Sequence, residues 1–225
     1  MRHARALFLF LALAVATALP QQNSGAPTIT YDRFWEAATP QNVTLTLEST
    51  GKAKYVSRNP KRPAPEGEDA DPDYVLEFTM SPENSDRLFQ LAKEANYFDG
   101  SFDYSKHRVA STGLKTVTYS DAARHFQTQY NWSENKSIEQ FTRLTEGVAN
   151  TIEHGRKLQF KYRFDKLGLE AELKGMEEMA QREELAEIQI IAPLLQKMSD
   201  DTSVLHIARQ RARRLLGSLP QVKIQ

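Results

Sequence analysis

The stretch Val43-Thr44-Leu45-Thr46-Leu47-Glu48, continued by Ser49-Thr50-Gly51-Lys52 and Ala53-Lys54-Tyr55-Val56-Ser57, decides the fold class. Apolar and polar residues alternate on both sides of a Ser/Thr/Gly turn signal. A period of two sends every second side chain to the same face of a strand, so 43–57 reads as a half-buried β-hairpin.

Working outward, Tyr74 to Thr79 reads as a third strand. Ser81-Pro82-Glu83 then opens a helix, with Ser as cap, Pro at the first helical position and Glu at the positive end. Leu88, Leu91, Ala92 and Ala95 share one helical face, and Tyr97-Phe98-Asp99-Gly100 should end the helix with its aromatics folded onto the core. Leu114 to Tyr119 and Arg124 to Tyr130 flank Ser120-Asp121-Ala122-Ala123 as a second hairpin. Ser137 with Gln140 matches a capping box, and Ile138, Phe141, Leu144, Val148 and Ile152 follow at helical spacing until Gly155 offers a C-cap. Residues 28–155 are thus expected to form an α+β domain: an antiparallel sheet of about five strands with two helices on one face.

From residue 156 the strand pattern disappears, and 156–225 is expected to be a helical subdomain. Its three helices are expected over Glu170–Arg182, Leu185–Met198 and Thr202–Leu216, the last capped by Thr202 and the second kinked or divided by Pro193. Charge is segregated here. Asp165 to Glu187 carries about −5, whereas the residues after His206 carry about +5, chiefly from Arg209, Arg211, Arg213 and Arg214. Opposite charge should pair the last helix with the first. The competing expectation is that these arginines form a partner-binding stripe for an acidic protein or for anionic lipid headgroups.

The 225 residues hold 29 Lys+Arg, 29 Asp+Glu and no Cys. Disulfides, thiol catalysis, Cys-ligated metals and iron–sulfur clusters are excluded, and the neutral charge argues against a nucleic-acid partner. Residues 1–18 have the layout of a secretory signal: Arg2 and Arg5, an apolar run from Ala6 to Ala16, and Ala16-Thr17-Ala18 for cleavage. The run is too short to span a membrane, so no membrane span is expected. Cleavage would remove two basic and no acidic residues, leaving a net charge of about −2. Residues 19–27 read as a flexible leader. An exported chain without cysteine fits the bacterial periplasm or medium.

Complete chemical motifs are missing. His107, His125, His154 and His206 are widely spaced, without metal-binding pairings. His154 reads as a helix-C-terminal histidine facing the last carbonyls, and His107, in a loop beside Arg108, is the one to test for chemistry. Ser49–Lys52 and Ser133–Lys136 match S-x-x-K without the further elements that such enzymes need. Within the acidic, Pro-rich loop 59–73, Asp69, Asp71 and Asp73 resemble the opening of a calcium loop, but Tyr74 and Met80 occupy the places that need Gly and Glu. No catalytic residue, metal site or cofactor is assigned.

The order of elements over residues 43–152 resembles small secreted bacterial modules of the emfourin type, a family of metalloprotease inhibitors. The resemblance is carried by the strand closing at Gly51, the Ser81-Pro82-Glu83 helix start, the Tyr97-Phe98 pair, the hairpin around Asp121 and the closing amphipathic helix. It implies an α+β fold and an inhibitory activity, and assigns no functional residue; the helical tail has no counterpart. The expected function is a non-catalytic, exported protein-binding or inhibitory module. The alternatives are a hydrolase with dispersed catalytic residues and a cell-envelope interaction protein that uses its C-terminal helices.

Overall fold

The computed structural model describes residues 25–59, 73–104 and 106–218. Six antiparallel strands form one sheet: β1 (Thr28–Phe34), β2 (Asn42–Glu48), β3 (Lys52–Arg58), β4 (Tyr74–Thr79), β5 (Leu114–Ser120) and β6 (His125–Tyr130), in the order β4-β3-β2-β1-β5-β6. The expected hairpins are β2–β3, with Leu45 opposite Tyr55, and β5–β6, with Val117 opposite Thr128. The sheet exceeds the expected five strands because β1 was not anticipated. Its neighbour β5 lies about 80 residues away in sequence, so no local turn announces it.

Helix α1 (Pro82–Glu94) and helix α2 (Lys136–Phe164) cover one sheet face. Ile29, Tyr31, Leu45, Leu47, Tyr55 and Val117 point into the core they share, while the alternate residues Thr30, Thr44, Thr46, Thr116 and Thr118 lie on the opposite, polar face. After α1 the chain makes a 3-10 turn, Asn96–Phe98, with three consecutive residues at positive φ. The turn delivers Phe98 to full burial against Phe141, with ring centroids 5.1 Å apart.

Helix α2 corrects three expectations. It is capped by Asn135, whose side chain accepts from the amides of Ser137 and Ile138, and not by a Ser137–Gln140 box. It does not end at Gly155 but continues to Phe164, a span of about 44 Å at 1.5 Å per residue. Gly155 is a contact point, because a Cβ there would lie 2.4 Å from Ile191 Cγ2. And His154 lies within the helix, its Nδ1 2.6 Å from Glu172 Oε1, far from the terminal carbonyls.

The distal end of α2 belongs to a second core. Leu158 packs there with α3 (Leu169–Gln181), α4 (Ala192–Asp200) and α5 (His206–Gly217), through residues such as Leu173, Met176, Leu195, Ala208 and Ala212. The expected helix over Leu185–Met198 is divided: a 3-10 turn, Ile188–Ile191, precedes α4, and Pro193 sits in its first turn, where its missing amide costs no hydrogen bond. Helix α5 starts at His206, so Thr202 is not its cap. The segment 183–187 lies along α2, where the Gly147 carbonyl accepts from the Ala186 amide and Asn150 Nδ2 donates to the Glu184 carbonyl. No described helix is long and apolar enough to cross a membrane.

Candidate functional site

The ends of β1 and β6 and the start of β5 meet the first turns of α2 around a cavity of about 320 Å³. Two loops bring tryptophans to it. Trp35 follows β1 directly and is seated against Gly113, just before β5; the Gly113 φ of +90° and the 2.7 Å that a Cβ would leave to Trp35 Cβ both require glycine there. Trp132 follows β6, is 41% exposed, and stands edge-on to Tyr104 with centroids 4.8 Å apart. Its carbonyl accepts from the Tyr104 amide at 2.8 Å, which holds the β6–α2 connection in place.

Charged groups line the cavity behind the rings. Lys115 is only 5% exposed, and its Nζ lies within 3.1 Å of the carbonyl oxygens of Thr112, Gly113 and Asn131 and of Thr112 Oγ1. Burial pulls its pKa below the usual lysine value. Glu146, from α2, accepts from the Tyr31 hydroxyl and, at 2.6 Å, from Arg33 Nη1. Burial first, and the adjacent Glu146 charge second, hold the Tyr31 phenol well above its ordinary pKa, so it stays a donor. Among the described residues Arg33 Nε is buried without a partner, and the Tyr130 hydroxyl pairs with Thr142 Oγ1 at 2.7 Å. Arg143 is exposed at the rim.

This arrangement is suited to holding a ligand. The tryptophan rings offer apolar surface, and Arg33, Lys115 and Arg143 outnumber Glu139 and Glu146, so an apolar body with an acidic group fits the wall. Proton transfer is poorly served. Glu146 is engaged by Tyr31 and Arg33, and the three protons of Lys115 are shared among four oxygens.

The residues singled out in the sequence lie elsewhere. Arg211 bonds to Glu170 at 3.0 Å and also to Glu177, and Arg214 bonds to Glu177 at 2.6 Å, so the acidic α3 and basic α5 face each other. Burial raises the Glu177 pKa, but the two arginines outweigh it and the net shift is downward. Arg213 donates to the Ser199 carbonyl, and Arg209 Nε is buried without a partner among the described residues. His107 is exposed, 6.2 Å between centroids from Tyr104. Asp69 and Asp71 lie outside the described residues, while Asp73 accepts from Arg58 Nε at 2.6 Å. Among the described residues no three His, Asp or Glu side chains are grouped to hold a metal ion.

Sequence reasoning passed over both tryptophans. They are the only two in the chain, one directly after a strand and the other one residue further on, and that was the available signal. Ser133, half of an S-x-x-K match, is buried beside Trp132 and accepts from the Asn135 amide, a turn role and not a nucleophile's. No protein-family model matches this chain, and no curated protein is significantly similar to it.

Proposed function

We propose that the chain is an exported, non-catalytic protein-binding module, and that the Trp35–Trp132 cavity receives a partner segment combining an apolar side chain with an acidic group. The observation that carries the reading is the framing of one cavity by the two tryptophans, on loops fixed by Gly113 and by the Tyr104–Trp132 contact. Aromatic side chains set in preformed hollows are where binding energy concentrates in protein interfaces. Engagement of Glu146 and Lys115 by neighbouring groups favours binding over a hydrolase with dispersed residues.

The target class proposed from the emfourin resemblance is a secreted metalloprotease. Incubating the protein with secreted zinc metalloproteases tests this, with Trp132→Ala as the comparison. Inhibition that weakens at least about tenfold in the variant supports both target and site. Inhibition untouched by the variant would remove the cavity from the reading, and failure to bind any metalloprotease would remove the target class.

A further inference from the structure

The end of α2 carries a second surface feature, independent of the cavity. Phe160 and Phe164 are 62% and 65% exposed, one turn apart, with ring centroids 5.1 Å from each other. Leu167, in the turn that follows, is 73% exposed. Three large apolar side chains left exposed within eight residues are an unusual expense on a chain in water.

At 100° per residue, cations border this stripe on both sides: Arg156 and Arg163 on one, Lys157 and Lys161 on the other. The Arg163 guanidinium lies 5.1 Å from the Phe164 ring centroid. The acids at this end of α2 are engaged: Asp165 lies 3.7 Å from Lys161, Glu153 3.6 Å from Arg156, and Asp201 accepts from Tyr162 and Lys166. Two copies of this tip placed face to face would oppose cation to cation, and three side chains cover far less than the roughly 800 Å² per partner of a stable protein interface. The stripe is convex and lines none of the described cavities. A convex aromatic tip with a cationic border suits a surface that yields to it and carries negative charge.

We infer that Phe160, Phe164 and Leu167 insert into the interface of an anionic lipid bilayer while Lys157 and Arg163 meet its headgroups; Arg156, 3.6 Å from Glu153 and packed over Tyr74, stays with the sheet. Lipid contact is thereby assigned to α2 and not to the α5 arginines, two of which are engaged by Glu170 and Glu177.

The chain has no cysteine, so Phe164→Cys can carry a single environment-sensitive fluorophore, with Val75→Cys on strand β4 as the control. Full-length protein and the form starting at Leu19 are both used, which controls for the apolar run Ala6–Ala16. The probes are vesicles of equal parts phosphatidylglycerol and phosphatidylcholine, against pure phosphatidylcholine. The expected result is a blue shift at position 164 with the anionic vesicles alone, reversed by salt, and none at position 75. In co-sedimentation, Phe160→Ser with Phe164→Ser should weaken binding by about tenfold or more, and Arg163→Glu by about fivefold or more. Circular dichroism confirms that the variants remain helical. Absence of binding by the unsubstituted chain, binding that the serine variants leave unchanged, or binding to poly-glutamate but not to vesicles would each overturn the inference.

Discussion

The Glu187 carboxylate accepts from both the amide and the hydroxyl of Ser81, 106 residues away. It also accepts from Asn84 Nδ2 and Gln189 Nε2, is 3% exposed, and sits at positive φ. One acid from the segment between α3 and α4 therefore completes the N-terminus of α1, where unpaired amides and the helix dipole favour a negative charge. Glu187→Ala should destabilise the protein by about 1–3 kcal/mol, because several partly buried donors lose their acceptor at once. Urea unfolding measures it, and Glu187→Asp, keeping the charge on a shorter arm, should lose less.

Gly155 and Ile191 make a second tight contact, between α2 and the 3-10 turn that precedes α4. On helix propensity alone Gly155→Ala would stabilise by about 1 kcal/mol. The 2.4 Å approach to the β-branched, stiff Ile191 side chain reverses the sign, and a net loss of about 1–3 kcal/mol is expected. Adding Ile191→Ala should recover part of it, so the double-mutant cycle reads a coupling of opposite sign to the single losses.

These two contacts show which parts of the structure were legible in the sequence. The hairpins around Gly51 and Asp121 and the Ser81 cap were readable because each depends on residues a few positions apart. Strand β1 was not, since its place at the sheet centre is set by pairing with distant β5. Nor was the continuity of α2: a glycine at position 155 reads locally as a helix stop, and only the packing of Ile191 gives the reason for its small size. The candidate site was the least legible, because Trp35, Gly113 and Trp132 come together through three separate loops.

Acid should loosen the β5–β6 turn. Hydrogen bonds from the Arg124 side chain, then from the Ala123 amide, hold the Asp121 carboxyl at about 2, below its ordinary 3.8. A carboxyl depressed in the folded state contributes stability that is complete above its ordinary value and is lost as pH falls through the lower one. The Ala123 and Arg124 amide resonances should therefore move as pH falls through about 2, and Asp121→Asn should abolish the transition. Glu172, held low by its bond to His154, and Asp201, held low by Lys166, Ser203 and Tyr162, shift stability in the same direction.

Gly113 tests the support of the cavity separately from its contents. In Gly113→Ala the new methyl group must displace Trp35 and adopt an unfavourable φ, at a cost of about 1–3 kcal/mol. The Trp35 emission should shift toward that of a water-exposed ring, as read in a Trp132→Phe background where Trp35 is the only tryptophan.

The central claim is that Trp35 and Trp132 enclose a binding site, and tryptophan emission reports on it directly because the chain has no other tryptophan. The most direct measurement is a titration with short peptides that pair phenylalanine with an acidic residue, followed by that emission. A saturable shift that is lost in Trp132→Ala and weakened at least about tenfold in Arg143→Glu is the predicted result. Emission that does not respond, or a response that both variants leave intact, would contradict the account.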